Sequence, residues 1–473
     1  MIKPIGVRTV SLSVCHRFVY PLILLLLTQS SWAATIHVNN VTGKDTHTGQ
    51  SLDQSVKTLQ MAVKLLQSGD TLHIANTGQA YRESLIIDRD LGTPDMPLVI
   101  EGNGVVLSGL VKLDPAKWTE HSDGVYAYPI QPMPSNWAPV LINGSQVIPI
   151  AGDEASMIEG QCVWQKQRLL YKPVTGNTPA TLPLEASLID SGVAIVNSSY
   201  ITVRNLISER HANDGFNIHG NARGIIFENI VGRYNGDDGC SIHEDGQLLV
   251  RNAWFHHNQF GIEDVNASTS NYQAVLVEHN HVGIHFTGGY HQLTDSILRN
   301  NTTDQLQVGR GFPSGYLGKD NTPFVYDGFC LAKNLQISGG ANGVLVVNRG
   351  KVALANALIS QSKIGILLLH GATLELRSSI IQNCTTSEVR TIESHFLGDY
   401  NLYYPGHLDV DHKRGISMDA FQTITKADAH SRIEQPSFSA DAPLISNQPF
   451  SPSTKVPGVT HVYPLPLSKS DAP

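Results

Sequence analysis

A chain of 473 residues with 41 Gly, 24 Pro and only 16% charged positions excludes disorder, collagen and coiled coil. Its wealth of Asn, Gly, Ser and Thr favours many short strands joined by turns over helices. A net charge of −8 opposes binding to phosphate backbones or anionic lipid, so an anionic substrate would need a local cation.

The N-terminus reads as a secretory leader. Lys3, Arg8 and Arg17 precede the apolar run FVYPLILLLL (18 to 27), and Ser31 and Ala33 stand at the −3 and −1 positions for cleavage. The run is too short to span a bilayer. Removal of this leader (1 to 33) with its three bases takes the charge from −8 to −11. The expectation is an exported protein, secreted or periplasmic and monomeric, that binds no nucleic acid. Cys162, Cys240, Cys330 and Cys384 show neither zinc spacing nor a disulfide framework and are expected to pack.

The span 34 to 110 is expected to hold an N-terminal cap and the first coils. Within 51 to 69, Val56, Leu59, Val63 and Leu66 share one helical face, with Ser51 or Asp53 to cap and Gly69 to stop. Such a helix would cover an open strand edge. TLHIA (71 to 75), SLIID (84 to 88) and LVIEG (98 to 102) follow as strands. Residues 111 to 189 break the pattern with Trp118, Trp137, Trp164, Tyr126, Tyr128 and Tyr171. They are expected to form a β-rich insertion whose aromatics either pack an accessory core or stack on sugar rings. The span 396 to 473, rich in Pro, is expected to be a C-terminal cap and tail.

Residues 190 to 395 repeat at a period near 22, the length scale of a solenoid. Gly192, Gly215, Gly239, Gly261 and Gly283 fall into one column that resumes at Gly343 and Gly365. After each Gly the chain alternates, as in Phe216 and Ile218 against Asn217 and His219, or Cys240 and Ile242 against Ser241 and His243. That is a strand with one buried face. A second column holds Asn205, Asn229, Asn252, Asn334 and Asn356. Both columns suit turns that need left-handed backbone. Short strands with no room for helices between them predict an all-β, single-stranded parallel β-helix. The order of cap helix, GDTLHI, YRESLII and PLVIEGNG resembles the opening of secreted right-handed parallel β-helix proteins of the pectate-lyase-like kind, many of them polysaccharide lyases and glycoside hydrolases.

At one coil's spacing, Asp214, then Asp237 and Asp238, then Glu263 converge on one edge, and like charges so close require a divalent cation or a retained proton. His219, His243, Glu244 and His285 lie on or beside the same face. NDGF (213 to 216) with NGDDG (235 to 239) resembles the calcium site of the family 9 pectate lyases. The resemblance implies Asp214, Asp237 and Asp238 as Ca²⁺ ligands. Ser241 stands where that family has a further Asp, and no Lys occurs between Lys172 and Lys319 to supply its base. The base would then be His285 or His243, with Glu263 as the further candidate catalytic residue. NDG and GDD are also similar to motifs of the polygalacturonase-type glycoside hydrolases, whose Gly-His-Gly is met only by GGYH (288 to 291) and whose Arg-Ile-Lys is missing.

Three functions remain open on this reading. A calcium-dependent lyase would cleave a uronate glycan by β-elimination, with a His as base. A hydrolase would use Asp237 or Asp238 as acid with Asp214 or Glu263 activating water. A non-catalytic glycan-binding solenoid would use the acids only as turns.

Overall fold

The computed structural model describes residues 33–436, apart from 133, 151, 153, 166 and 312–325. The expected leader (1 to 33), but for residue 33, and the part of the expected tail from 437 on lie outside the described residues.

The chain is an all-β parallel β-helix. On a first face Thr35 pairs with Thr71, Thr71 with Val99, Val99 with Thr202, Thr202 with Ile226 and Ile226 with Leu249, all in parallel. A second face starts after a bend, where Leu206 pairs with Ile230 and Ile230 with Ala253. The third carries the column Ile87, Ile195, Ile218, Ile242. It continues through Asp264, Phe286 and Val308. Inward residues of the three faces form one continuous core in which Ile218, Ile242, Phe227 and Phe255 are fully buried. Each such side chain contributes roughly 1.5 to 3 kcal/mol by burial, an upper estimate.

The two repeat columns have different physical causes. Asn205, Asn229, Asn252, Asn334 and Asn356 all take positive φ between the first and second faces, as the turn argument predicts. Each also stacks on the next coil: Asn229 Nδ2 donates to Asn205 Oδ1 at 3.2 Å and Asn252 Nδ2 to Asn229 Oδ1 at 2.7 Å. The Gly column is not left-handed, which corrects the turn reading. A Cβ on Gly215 would fall 2.7 Å from Asn235 Nδ2 and from the Gly239 carbonyl, and one on Gly261 would fall 2.6 Å from the Gly283 carbonyl. These glycines let adjacent coils approach.

The N-terminal helix is shorter than expected, Leu59–Leu65, and its cap is Thr58, whose side chain accepts from Met61 N. Leu52–Gln54 is only a 3₁₀ turn. Ser51 spends its hydroxyl on Asp53, and Asp45 binds the Lys57 and Thr58 amides, so the chain turns before the helix starts. The helix packs on Thr35–Val38 and Leu85–Ile87. Strand Thr35–Val38 opens the first face and was not anticipated. At the other end the coils continue through His395–Asp399, Leu402–Tyr404 and Leu408–Val410, and helix Met418–Thr425 packs against them.

Between Leu110 and Ser187 the chain leaves the solenoid to build two four-stranded antiparallel sheets. Trp164, Tyr128 and Tyr171 are buried in the core they share, with Trp118 packed against it. Cys162, Cys240, Cys330 and Cys384 are free and buried, and burial pushes every one of these thiols up.

Candidate active site

The bend from the second face to the third positions the site. Its spine is a ladder of buried asparagines. Asn235 N and Nδ2 donate to Asn258 Oδ1, Asn258 N and Nδ2 donate to Asn280 Oδ1, and Asn280 N and Nδ2 donate to Asn301 Oδ1, at 2.9 to 3.1 Å. Each amide satisfies a buried backbone N–H of the coil before it. The ladder fixes the register of the residues that follow, among them Asp237 and Asp238.

Asp214, Asp237 and Asp238 come together as expected, each offering a carboxylate oxygen within 4.8 Å of the others. Asp214 and Asp238 are each 2% exposed. Asp214 Oδ1 accepts from Asp238 N at 3.1 Å and its Oδ2 from Ser241 Oγ at 3.0 Å. Ser241, a departure from the resembling motif, therefore donates to Asp214. Asp238 Oδ1 is buried and has no hydrogen-bond partner.

The electrostatics follow from crowding. Burial, then Asp237, pushes the Asp214 carboxyl well up; burial, then Asp214 and Glu263, does so for Asp238. Burial and Glu263 push Asp237 up to about 7. Without a cation these carboxylates resist ionising. The donor set, all hard oxygen with one buried oxygen unpartnered, fits a divalent cation such as Ca²⁺.

On the outward column of the third face, Ser241, Glu263 and His285 lie on successive coils. His285 Nδ1 is 2.7 Å from Glu263 Oε1, with the two side chains 16% and 21% exposed, the geometry of an N–H donating to a carboxylate. The His285 ring stacks on Phe260 at 5.2 Å and 14°. Phe260 occupies the register position of Asp238 one coil on and His285 stands one coil further, its ring packed on the coil next to the acidic cluster. His243 stacks instead on His219, 4.1 Å away, and burial, then His219, lowers it to about 4. Among the described residues nothing hydrogen-bonds its ring, whereas His219 Nδ1 lies 3.3 Å from Glu244 Oε2. Outward Asn217 is covered by its neighbours, 6% exposed, with Oδ1 unpartnered.

No protein-family model and no curated protein sequence matches this chain. Solved structures do. One described as the complex structure of XylC with xylose superposes with a TM-score of 0.52 at 12% identity, covering 84% of this chain and 82% of that one. A glycoside hydrolase reaches a TM-score of 0.46 at 9% identity, over 80% of this chain and 95% of its own. Pectate lyase Pel9A reaches 0.42 at 11% identity, over 88% and 97%. The likeness is one of fold.

Two features escaped the sequence argument. The buried Asn235, Asn258, Asn280 and Asn301 ladder was legible as a further Asn at coil spacing, hidden because the spacing shortens by a residue at each step, from 23 to 22 to 21. The second is the placement of Trp137, which the sequence names among the insertion's aromatics but does not put over the bend; it leaves the insertion's core. Ser135 N donates to the Ala212 carbonyl at 3.1 Å and Ser135 Oγ to the Gly236 carbonyl at 2.5 Å. These bonds pin the segment over the bend, and the half-buried Trp137 ring lies 5.0 Å from that of His281.

Proposed function

We propose that the protein is an exported polysaccharide-active enzyme, a calcium-dependent lyase that cleaves a uronate-containing glycan by β-elimination. The observation that carries this reading is the buried Asp214, Asp237 and Asp238 trio with its unpartnered Asp238 oxygen. These residues would hold Ca²⁺, which when bound draws charge from the uronate carboxylate and so favours the enolate-like anion. Glu263 orients His285 through Nδ1 and leaves Nε2 to take the proton from the carbon beside that carboxylate. The bond to the leaving glycosidic oxygen then breaks, a carbon–carbon double bond forms in the ring, and the oxygen takes a proton from water. Phe260 holds the imidazole plane from the side. Asp214 is itself held by Ser241 and the Asp238 amide, so the trio is preorganised.

A glycoside hydrolase is the second reading, favoured by Glu263 standing close enough to all three aspartates to repel them. Asp237 or Asp238 would protonate the leaving oxygen while Asp214 or Glu263 activates water. One assay separates them. Ultraviolet-absorbing unsaturated ends, lost in EDTA and reduced about 10² to 10⁴-fold in His285→Ala, are expected. New reducing ends without unsaturation would give the hydrolase, and binding without either a non-catalytic solenoid.

A further inference from the structure

The groove over the third face has an unusual charge pattern for a site that would take a polyanion. Its strands 214–219, 238–243, 260–265, 282–287 and 304–308 contain no Lys or Arg, nor do the bends 234–237, 257–259, 279–281 and 300–303. Acids do face it. Glu263 is half-buried, and Asp304 is 7% exposed and raised by burial, with His285 and His281 close enough to act on it. Away from the aspartate trio, a chain carrying a carboxylate on every ring would meet these acids, with no Lys or Arg on these strands and bends to offset them. What the groove offers there is aromatic or uncharged: Phe260, Gln259, His281 and Gln307, with Trp137 from the insertion.

Trp137 is placed to matter. Its segment is anchored to two coils through Ser135, its ring rests against His281, and its indole Nε1 has no hydrogen-bond partner among the described residues. His281 lies two coils beyond Asp237 along the bend, on the order of 10 Å at the strand spacing. That span exceeds one sugar ring, so a ring stacked beside His281 is not the ring held at the trio. Of the others singled out in the insertion, Trp118, Trp164, Tyr128 and Tyr171 pack its own core or one another.

Resting on the proposed reading of the aspartate trio, we infer that the groove selects a glycan in which a uronate is followed by uncharged rings, and that Trp137 with His281 forms the stacking subsite for one of those rings. An indole presents a flat apolar face matched to the C–H face of a neutral pyranose, and its N–H can donate to a ring hydroxyl. The chain would run along the solenoid axis, from the aspartate trio towards Thr303.

The test measures affinity and cleavage by the intact protein in calcium. The probes are polygalacturonate, half-methyl-esterified polygalacturonate, and alternating galacturonate–rhamnose oligosaccharides of two and eight rings. At least one of the two sparsely charged polymers should bind about tenfold more tightly than polygalacturonate. Trp137→Ala should lose about tenfold in affinity for the eight-ring chain and nothing for the two-ring chain, raising KM without lowering kcat, and Trp137→Phe should restore most of the loss. Polygalacturonate binding as well as both others, an equal loss at both chain lengths, or no binding of any probe would overturn the inference. Chain-length-dependent loss of binding in Trp137→Ala without unsaturated product would uphold the subsite and sink only the lyase.

Discussion

Three stacks of polar side chains at one-coil spacing, on two bends of the same solenoid, have opposite results. At Asn205 and Asn229, and again at Asn235, Asn258, Asn280 and Asn301, each amide donates to one neighbour and accepts from another. A ladder of this kind is self-complementary and can be buried. At Asp214, Asp237 and Asp238 the same geometry stacks groups that only accept, and the result is raised carboxyls and an orphaned oxygen. Repetition becomes framework when donors and acceptors alternate; where only acceptors repeat, the stack calls for something from outside.

The contrast can be broken most severely from the amide side. Asn258→Ala strips the acceptor from Asn235 N and Nδ2 and a donor from the Gly232 carbonyl, all buried, while Asn280 Oδ1 keeps the residue 258 amide. At about 1 to 3 kcal/mol for each orphaned group, the loss should be on the order of 4 kcal/mol in a urea titration. A change below about 1 kcal/mol would mean that the ladder is not what fixes this bend.

The fold was legible in the sequence because the inward column Ile195, Ile218 and Ile242 repeats with a glycine before each strand, and only one register buries it. Asp214, Asp237 and Asp238 were legible because coil spacing turns sequence period into lateral contact. The role of the Gly column was misread because a glycine demanded by a close approach looks the same in sequence as one demanded by positive φ. The support from Ser241 and the reach of Trp137 were hidden because both depend on tertiary packing.

Acidity gives an intermediate effect. Burial lowers His211 to about 4, and burial, then His257, lowers His256 to about 2, while both titrate near 6.5 when unfolded. As pH falls below about 6.5 the unfolded chain binds protons that the folded chain refuses. Their stabilising contribution is therefore full above that pH and is lost as the pH drops, for His211 levelling off near 4. The loss from His211 alone should reach up to about 3 kcal/mol at pH 4. His211→Leu should flatten the decline between pH 6.5 and 4; an unchanged slope would show that this ring is protonated when folded. The acidic trio has the opposite sign. Its raised carboxyls stabilise the cation-free fold below their unfolded value of about 3.8, and that contribution fades as the pH rises towards 7.

The smallest effect belongs to the exposed face. Arg251 Nη1 lies 2.9 Å from Glu228 Oε1 with its side chain 49% exposed. Arg251→Ala should change stability by less than about 1 kcal/mol, and the difference should shrink further in high salt. A larger loss would mean that outward charge ladders stabilise these coils as the buried amides do.

The aspartate trio is proposed to require a cation, and thermal unfolding in calcium and in EDTA tests this most directly. For the wild-type chain, millimolar Ca²⁺ at pH 7.5 should raise Tm by several degrees, with the shift vanishing near pH 4 as protons displace the ion. Asp238→Asn in EDTA should be at least as stable as wild type, because it removes a buried, unpartnered carboxylate oxygen, and should show no response to calcium. A wild-type Tm indifferent to calcium and other divalent ions, or an Asp238→Asn variant that still responds in full, would contradict the account.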